Sequence, residues 1–201
     1  MANLVAAAHE HHPEPYTSTG LPMLKLGFWV FLGSETLFFG SLISTYMVYK
    51  HESVVGPYSG DLLNIPLTSA STFVLLMSSL AMVIALDQVQ RGKRRGGAIA
   101  IGMVALLGSL FLGFQAYEFT HFYHEGLTLQ TNLFGSSFFV LTGFHGAHVT
   151  IGVLWLLMLL VQHLRGQLPP SKALQLEVAG LYWHFVDIVW IAIFTLVYLI
   201  E

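Results

Sequence analysis

Five apolar runs follow one another along this chain with hardly a charge inside them: about Leu24–Tyr49, Pro66–Leu86, Ala98–Phe119, Phe134–His163 and Val178–Ile200. About 20 such residues, wound as a helix, cross a hydrocarbon layer about 30 Å thick. Each run therefore predicts a membrane span. Inside lipid, every backbone N–H and C=O has to be satisfied by the protein itself, which leaves helices and closed barrels. Barrel strands alternate apolar and polar residues, and these runs do not. The predicted fold is an all-α membrane protein, a five-transmembrane-helix bundle over residues 24–201. The linkers His51–Asn64, Asp87–Gly97, Thr120–Leu133 and Leu164–Glu177 are too short to form a further domain.

Composition agrees with the spans. Hydrophobic residues make up 55% of the chain and charged ones 9%, against roughly 25% charged in a soluble domain. That excludes a water-facing globule. The slightly acidic balance leaves no basic face for a nucleic acid. The chain has no cysteine, which removes disulfides, iron–sulfur clusters, thiolate zinc sites and thiol nucleophiles. No nucleotide-binding loop, nucleophile elbow or zinc-protease helix is present. Residues 1–23 form a polar tail without the basic start and apolar core of a signal peptide. Its cluster His9, Glu10, His11, His12 has two readings, a metal-binding segment or a solvated, disordered tail.

Lys and Arg collect in cytoplasmic loops. Arg91, Lys93, Arg94 and Arg95 share one linker. Placing it in the cytoplasm puts Lys25, Arg165 and Lys172 there too and leaves only Lys50 outside. The N-terminus is then cytoplasmic and the C-terminus faces outward.

Small residues, namely Ser78, Ser79, Gly102, Gly108, Gly143, Gly146 and Gly152, predict close approach of helix backbones. Against this apolar background the polar groups stand out, because charge at bilayer depth is costly and faces the bundle interior. Glu35 lies mid-span among apolar neighbours, where desolvation favours the neutral acid; it reads as a proton-exchanging carboxyl or as a packing group bonded to backbone or serine. His145 and His148 are three residues apart, as are His184 and Asp187, so each pair shares a helix face. An Asp orients an imidazole through its ring N–H, which suggests an interhelical polar network. The alternative is a haem held by His148 and His184, or a metal site. Glu118 closes the third span beside Tyr117, His121, Tyr123, His124 and Glu125. It is an interfacial candidate, read as a metal site, a docking edge or part of an aromatic belt.

Four segments, GFWVFLGSETLFFGSLIS, Tyr117–Glu118 after FLGFQA, FGSSFFVLTGFHGAHVTIGVLW and LYWHFVDIVWIAIF, together resemble subunit III of the haem–copper respiratory oxidases. The resemblance runs from about Gly27 to Tyr198. It implies a non-redox companion of subunit I in the bacterial plasma membrane. Haems and copper then sit on partner subunits, with no catalytic residue, cofactor or metal on this chain. Subunit I is the direct partner, with subunit II, a small subunit IV and bound phospholipid as further associates. Glu35 falls at the family's intramembrane carboxyl, and His184 and Asp187 in its last-helix motif. Longer members have seven spans; five is the short bacterial form, whose missing helices are absent or supplied by an extended subunit I. Short forms serve cytochrome c oxidases and quinol oxidases, and Glu35 with YWHFVDIVW favours cytochrome c. An autonomous proton or ion transporter is the competing function. The lack of an internal repeat counts against it.

Overall fold

The structure is a computed structural model that describes residues 20, 22–50, 52–53, 56 and 64–200; the His-rich tail lies outside them. Its long helices are α1 (Met23–Tyr49), α2 (Ile65–Gln90), α3 (Arg94–His124), α4 (Leu133–Leu164) and α5 (Ala173–Phe194). A short 3-10 turn, Pro170–Lys172, leads into α5, and a π-helical turn, Thr195–Leu199, follows it. Five spans are long and apolar enough to cross a membrane, and no strand occurs among the described residues. The chain is a multi-pass membrane protein.

The helices overrun their apolar runs. Asp87–Gly97 was expected as a linker, yet α2 continues to Gln90 and α3 begins at Arg94. Hydropathy marks where charge begins, whereas a hydrogen-bonded helix goes on until something stops it. Here Gly92 does so. It takes φ +68°, its N–H bonds the Val89 carbonyl, and the Lys93 N–H reaches back to Gln88 at 2.9 Å. Only glycine adopts that backbone without strain. Gly126 and Gly166 close α3 and α4 through the same pair of bonds. At the starts of α2 and α4, Asn64 and Asn132 accept from the N–H groups of Leu67 and Gly135, satisfying donors that a first turn leaves free.

Helices α2, α3, α4 and α5 form a ring in which each packs on the next and α5 closes on α2; α1 lies outside the ring, against α4 and α5. At the centre is Trp183 of α5, 1% exposed. Its ring fills the space that side chains at Gly108 of α3 and Gly152 of α4 would take: a Cβ at either would come within 3 Å of it. Its indole N–H donates to Ser78 of α2 at 2.9 Å. One residue thus touches all three other helices of the ring. Gly146 makes room for Gln115 in the same way, while Gly143 has nothing within 4 Å and Gly102 only ordinary contact.

Candidate functional site

The intramembrane polar residues form separate sets, not one network. The first joins α1 to α4. The Glu35 carboxyl, Oε2, lies 3.2 Å from His148 Nε2, and both side chains are largely buried. His148 Nδ1 is 2.7 Å from the Phe144 carbonyl. A carbonyl can only accept, so Nδ1 carries a proton. Nε2 and Oε2 then share one further proton, either on the acid or on the ring. Both arrangements are neutral overall, which suits a pair at bilayer depth. Phe39 sets its ring edge to the imidazole at 4.9 Å, and the Tyr182 hydroxyl donates to the His148 carbonyl at 3.0 Å.

The second set joins α2 to α5. His184 Nδ1 lies 2.5 Å from Ser79 Oγ. Asp187 does not orient this ring. Its side chain is buried at 3% exposure, and neither carboxyl oxygen completes a hydrogen bond. The nearby serine's short contact is with His184.

The third set reveals Glu118 as an interior residue. It is 6% exposed, accepts from the Thr68 hydroxyl of α2 at 2.9 Å, and accepts on its other oxygen from Tyr198 at 3.1 Å. Tyr117 and Tyr123 point outward, as a belt would, but Glu118 turns away from them. The helical repeat carries the reason: Phe111, Gln115, Glu118 and Phe122 fall on one face and all are buried.

His145 stands alone and fully buried. Its Nε2 approaches the Val186 carbonyl at 3.3 Å, its Nδ1 has no hydrogen-bond partner, and its ring lies 4.8 Å from Trp190. His145 and His148 diverge despite their spacing. Three residues leave about 60° between side chains around a helix; α4 is flanked by α1, α3 and α5, so 60° separates one neighbour from the next. His148 faces α1 and His184 faces α2. The two are not brought to a common haem site, and both ring nitrogens of His148 are engaged. Among the described residues no three His, Cys, Asp or Glu side chains gather as metal ligands. Thr68 and Tyr198 escaped the sequence reading as polar partners, and Ser79 entered it only as a small residue. Hydroxyl residues are ordinary in spans, and their partners lie 50 or more positions away.

Comparison with known proteins gives a consistent picture. The profile of the family described as cytochrome c oxidase subunit III matches residues 7–201. Quinol oxidase subunit 3 of Bacillus subtilis (strain 168) is 42% identical over 187 residues, 93% of this chain and 92% of the relative. Cytochrome c oxidase subunit 3 of Bacillus sp. (strain PS3) is 42% identical over 87% of this chain and 84% of its own length. The protein of the same description from Alkalihalophilus pseudofirmus is 40% identical over 94% and 91%.

Proposed function

Since this chain belongs to the cytochrome c oxidase subunit III family, we propose that it is the non-redox companion of subunit I in a proton-pumping oxidase. It works in the bacterial plasma membrane with its N-terminus in the cytoplasm. Membership makes it an accessory subunit of a haem–copper oxidase, associated with the other subunits of that complex. Our reading adds direct contact with subunit I, association with subunit II and a small subunit IV, bound phospholipid, and haems and copper confined to partners. It treats residues 24–201 as one membrane domain behind the tail 1–23. The likeness over residues 7–201 carries the reading.

The chain's own contribution is to brace subunit I and support proton uptake. The proton shared by Glu35 and His148 can shift between the two without creating net charge in the membrane. We assign cytochrome c as the electron donor. The quinol reading is supported by the 42% identity to a quinol oxidase subunit, equal to that of a cytochrome c oxidase subunit.

Purification through a tag on this chain should recover a haem-bearing subunit, and assays with reduced cytochrome c and with quinol separate the two donors. Within that complex, Glu35→Gln should leave assembly and oxygen reduction largely intact, because Gln keeps the shape and a hydrogen-bonding end. Its defect should appear in proton uptake or in durability over many turnovers. An assembled complex in which Glu35→Gln abolishes oxygen reduction would replace the accessory role with a directly catalytic one.

A further inference from the structure

Two indole bonds fix how α5 lies along α2. The Trp183 N–H donates to Ser78 and the Trp190 N–H to Thr72, each at 2.9 Å. Numbers rise along one helix as they fall along the other, so Asp187 stands level with Leu75, between the two bonds. It shares a helix face with both tryptophans, four residues after one and three before the other, and is the short side chain between two long ones. The frame around it spans six residues of α2, about 9 Å of helix. Trp183, Trp190, Leu75, Ser78 and Thr72 are all buried, and so is Asp187. Inside this frame neither Asp187 oxygen has a hydrogen-bond partner.

The frame has no donor left for this carboxyl. Ser71 and Thr72 donate to the Thr68 carbonyl, and Ser78 donates to that of Leu75. Ser79 is engaged with His184, and both indole N–H groups are spent. What the hydroxyl oxygens keep is lone-pair capacity. A carboxyl, neutral or ionised, has at least one oxygen that can only accept. Left bare in the interior, that oxygen is costly. We propose that the frame between α2 and α5 binds an internal water molecule, which donates one O–H to Asp187 and the other to a hydroxyl oxygen of α2. Water suits the site because it is small, carries no charge into the bilayer and brings two donors to groups that can only accept; buried polar groups without protein partners are commonly satisfied in this way. If Asp187 is neutral, its own O–H can turn to the water oxygen. A metal ion would need a cage of oxygens, whereas two of the hydroxyl oxygens here already accept from indoles. The site is separate from the Glu35–His148 pair, which joins α1 to α4.

The test is a density map of the intact oxidase complex at a resolution that shows ordered water. A peak should lie about 2.6–3.2 Å from an Asp187 carboxyl oxygen and from a second polar atom on α2. Asp187→Asn keeps the shape and an accepting oxygen, so its map should retain the peak. Asp187→Leu removes the polar end and should lose it. The haem spectrum of the purified complex confirms assembly of each variant. If Asp187→Leu fails to assemble, the maps of the unaltered complex and of Asp187→Asn decide by themselves. A map with no peak at the carboxyl would overturn the proposal. So would a carboxyl bonded directly to Ser79 or to another subunit, which would make its partner a protein group. A peak that vanishes when sodium and potassium are replaced by choline would make this a cation site instead.

Discussion

In the most apolar stretch of α1, 11% of the residues are buried; in the last span the share is 50%. Helix α1 buries only Leu32, Phe39 and Tyr46, a single seam seven residues apart. It is tied to the ring by polar contacts at three levels: Lys25 to Glu177 at 2.5 Å, Glu35 to His148 at 3.2 Å, and Lys50 to the Ile200 carbonyl at 2.7 Å. The ring is held by fit, with Trp183 seated against two glycines. Lipid tails are as apolar as leucine, so no hydrophobic force drives helices together within a bilayer. A helix there associates by close packing or by polar bonds; the ring joins its close fit to bonds such as Trp183–Ser78, Ser79–His184 and Thr68–Glu118, whereas α1, with one narrow seam, leans on its polar ties.

The largest effect should come from disturbing the fit. Gly108→Ala puts a Cβ 2.5 Å from the Trp183 ring, which cannot swing aside as a flexible chain end would. Overpacking of this kind costs about 1–3 kcal/mol, and Gly108→Leu should prevent assembly. Gly33→Ala on α1, with nothing within 4 Å, should be neutral. Thermal denaturation of the purified complex reads the two alanine variants, the yield of assembled complex reads Gly108→Leu, and equal losses for Gly33→Ala and Gly108→Ala would erase the distinction between the regions.

Next in size is the middle tie. His148→Ala removes the partner of Glu35 and should cost about 1–2 kcal/mol, the upper range for interhelical polar bonds in membranes. The loss should be local. Because the chain has no cysteine, Phe39→Cys gives a single reporter beneath α1. Its labelling by a membrane-soluble thiol reagent should speed up with His148→Ala, while Trp183 fluorescence, read with the chain's other three tryptophans replaced by Phe, stays unchanged. A shift in that fluorescence would mean that α1 is part of the cooperative core.

The smallest effect belongs to Lys25→Gln. The Lys25–Glu177 pair is about 30% exposed at each side chain, and such pairs contribute about 0.2–1 kcal/mol and weaken with salt. The variant should change the melting temperature little at low salt and not at all at high salt. A large, salt-independent loss would place this contact in the core.

Sequence reading succeeds here where the information is local. The five spans and the glycines that admit Trp183 and Gln115 follow from runs and spacings. It fails where the partner is remote. Nothing near Glu35 announces His148, 113 positions away. Asp187 is three residues from His184, yet the ring is taken by Ser79 on another helix. Glu118 was legible in principle. Its face also carries Phe111, Gln115 and Phe122, but its aromatic neighbours in sequence drew the reading outward to the interface.

The order of synthesis gives the placement of α1 a further meaning. Spans leave the ribosome in sequence, and α1 leaves ahead of the other four. Its docking surfaces belong to α4 and α5, which follow only after two further spans, and the anchor for Lys50 is the carbonyl of Ile200, 150 positions on. Helices α2 and α3 can pair as soon as both exist, but Trp183 arrives only with the final span. The span born first is therefore the one that has to wait longest for its place.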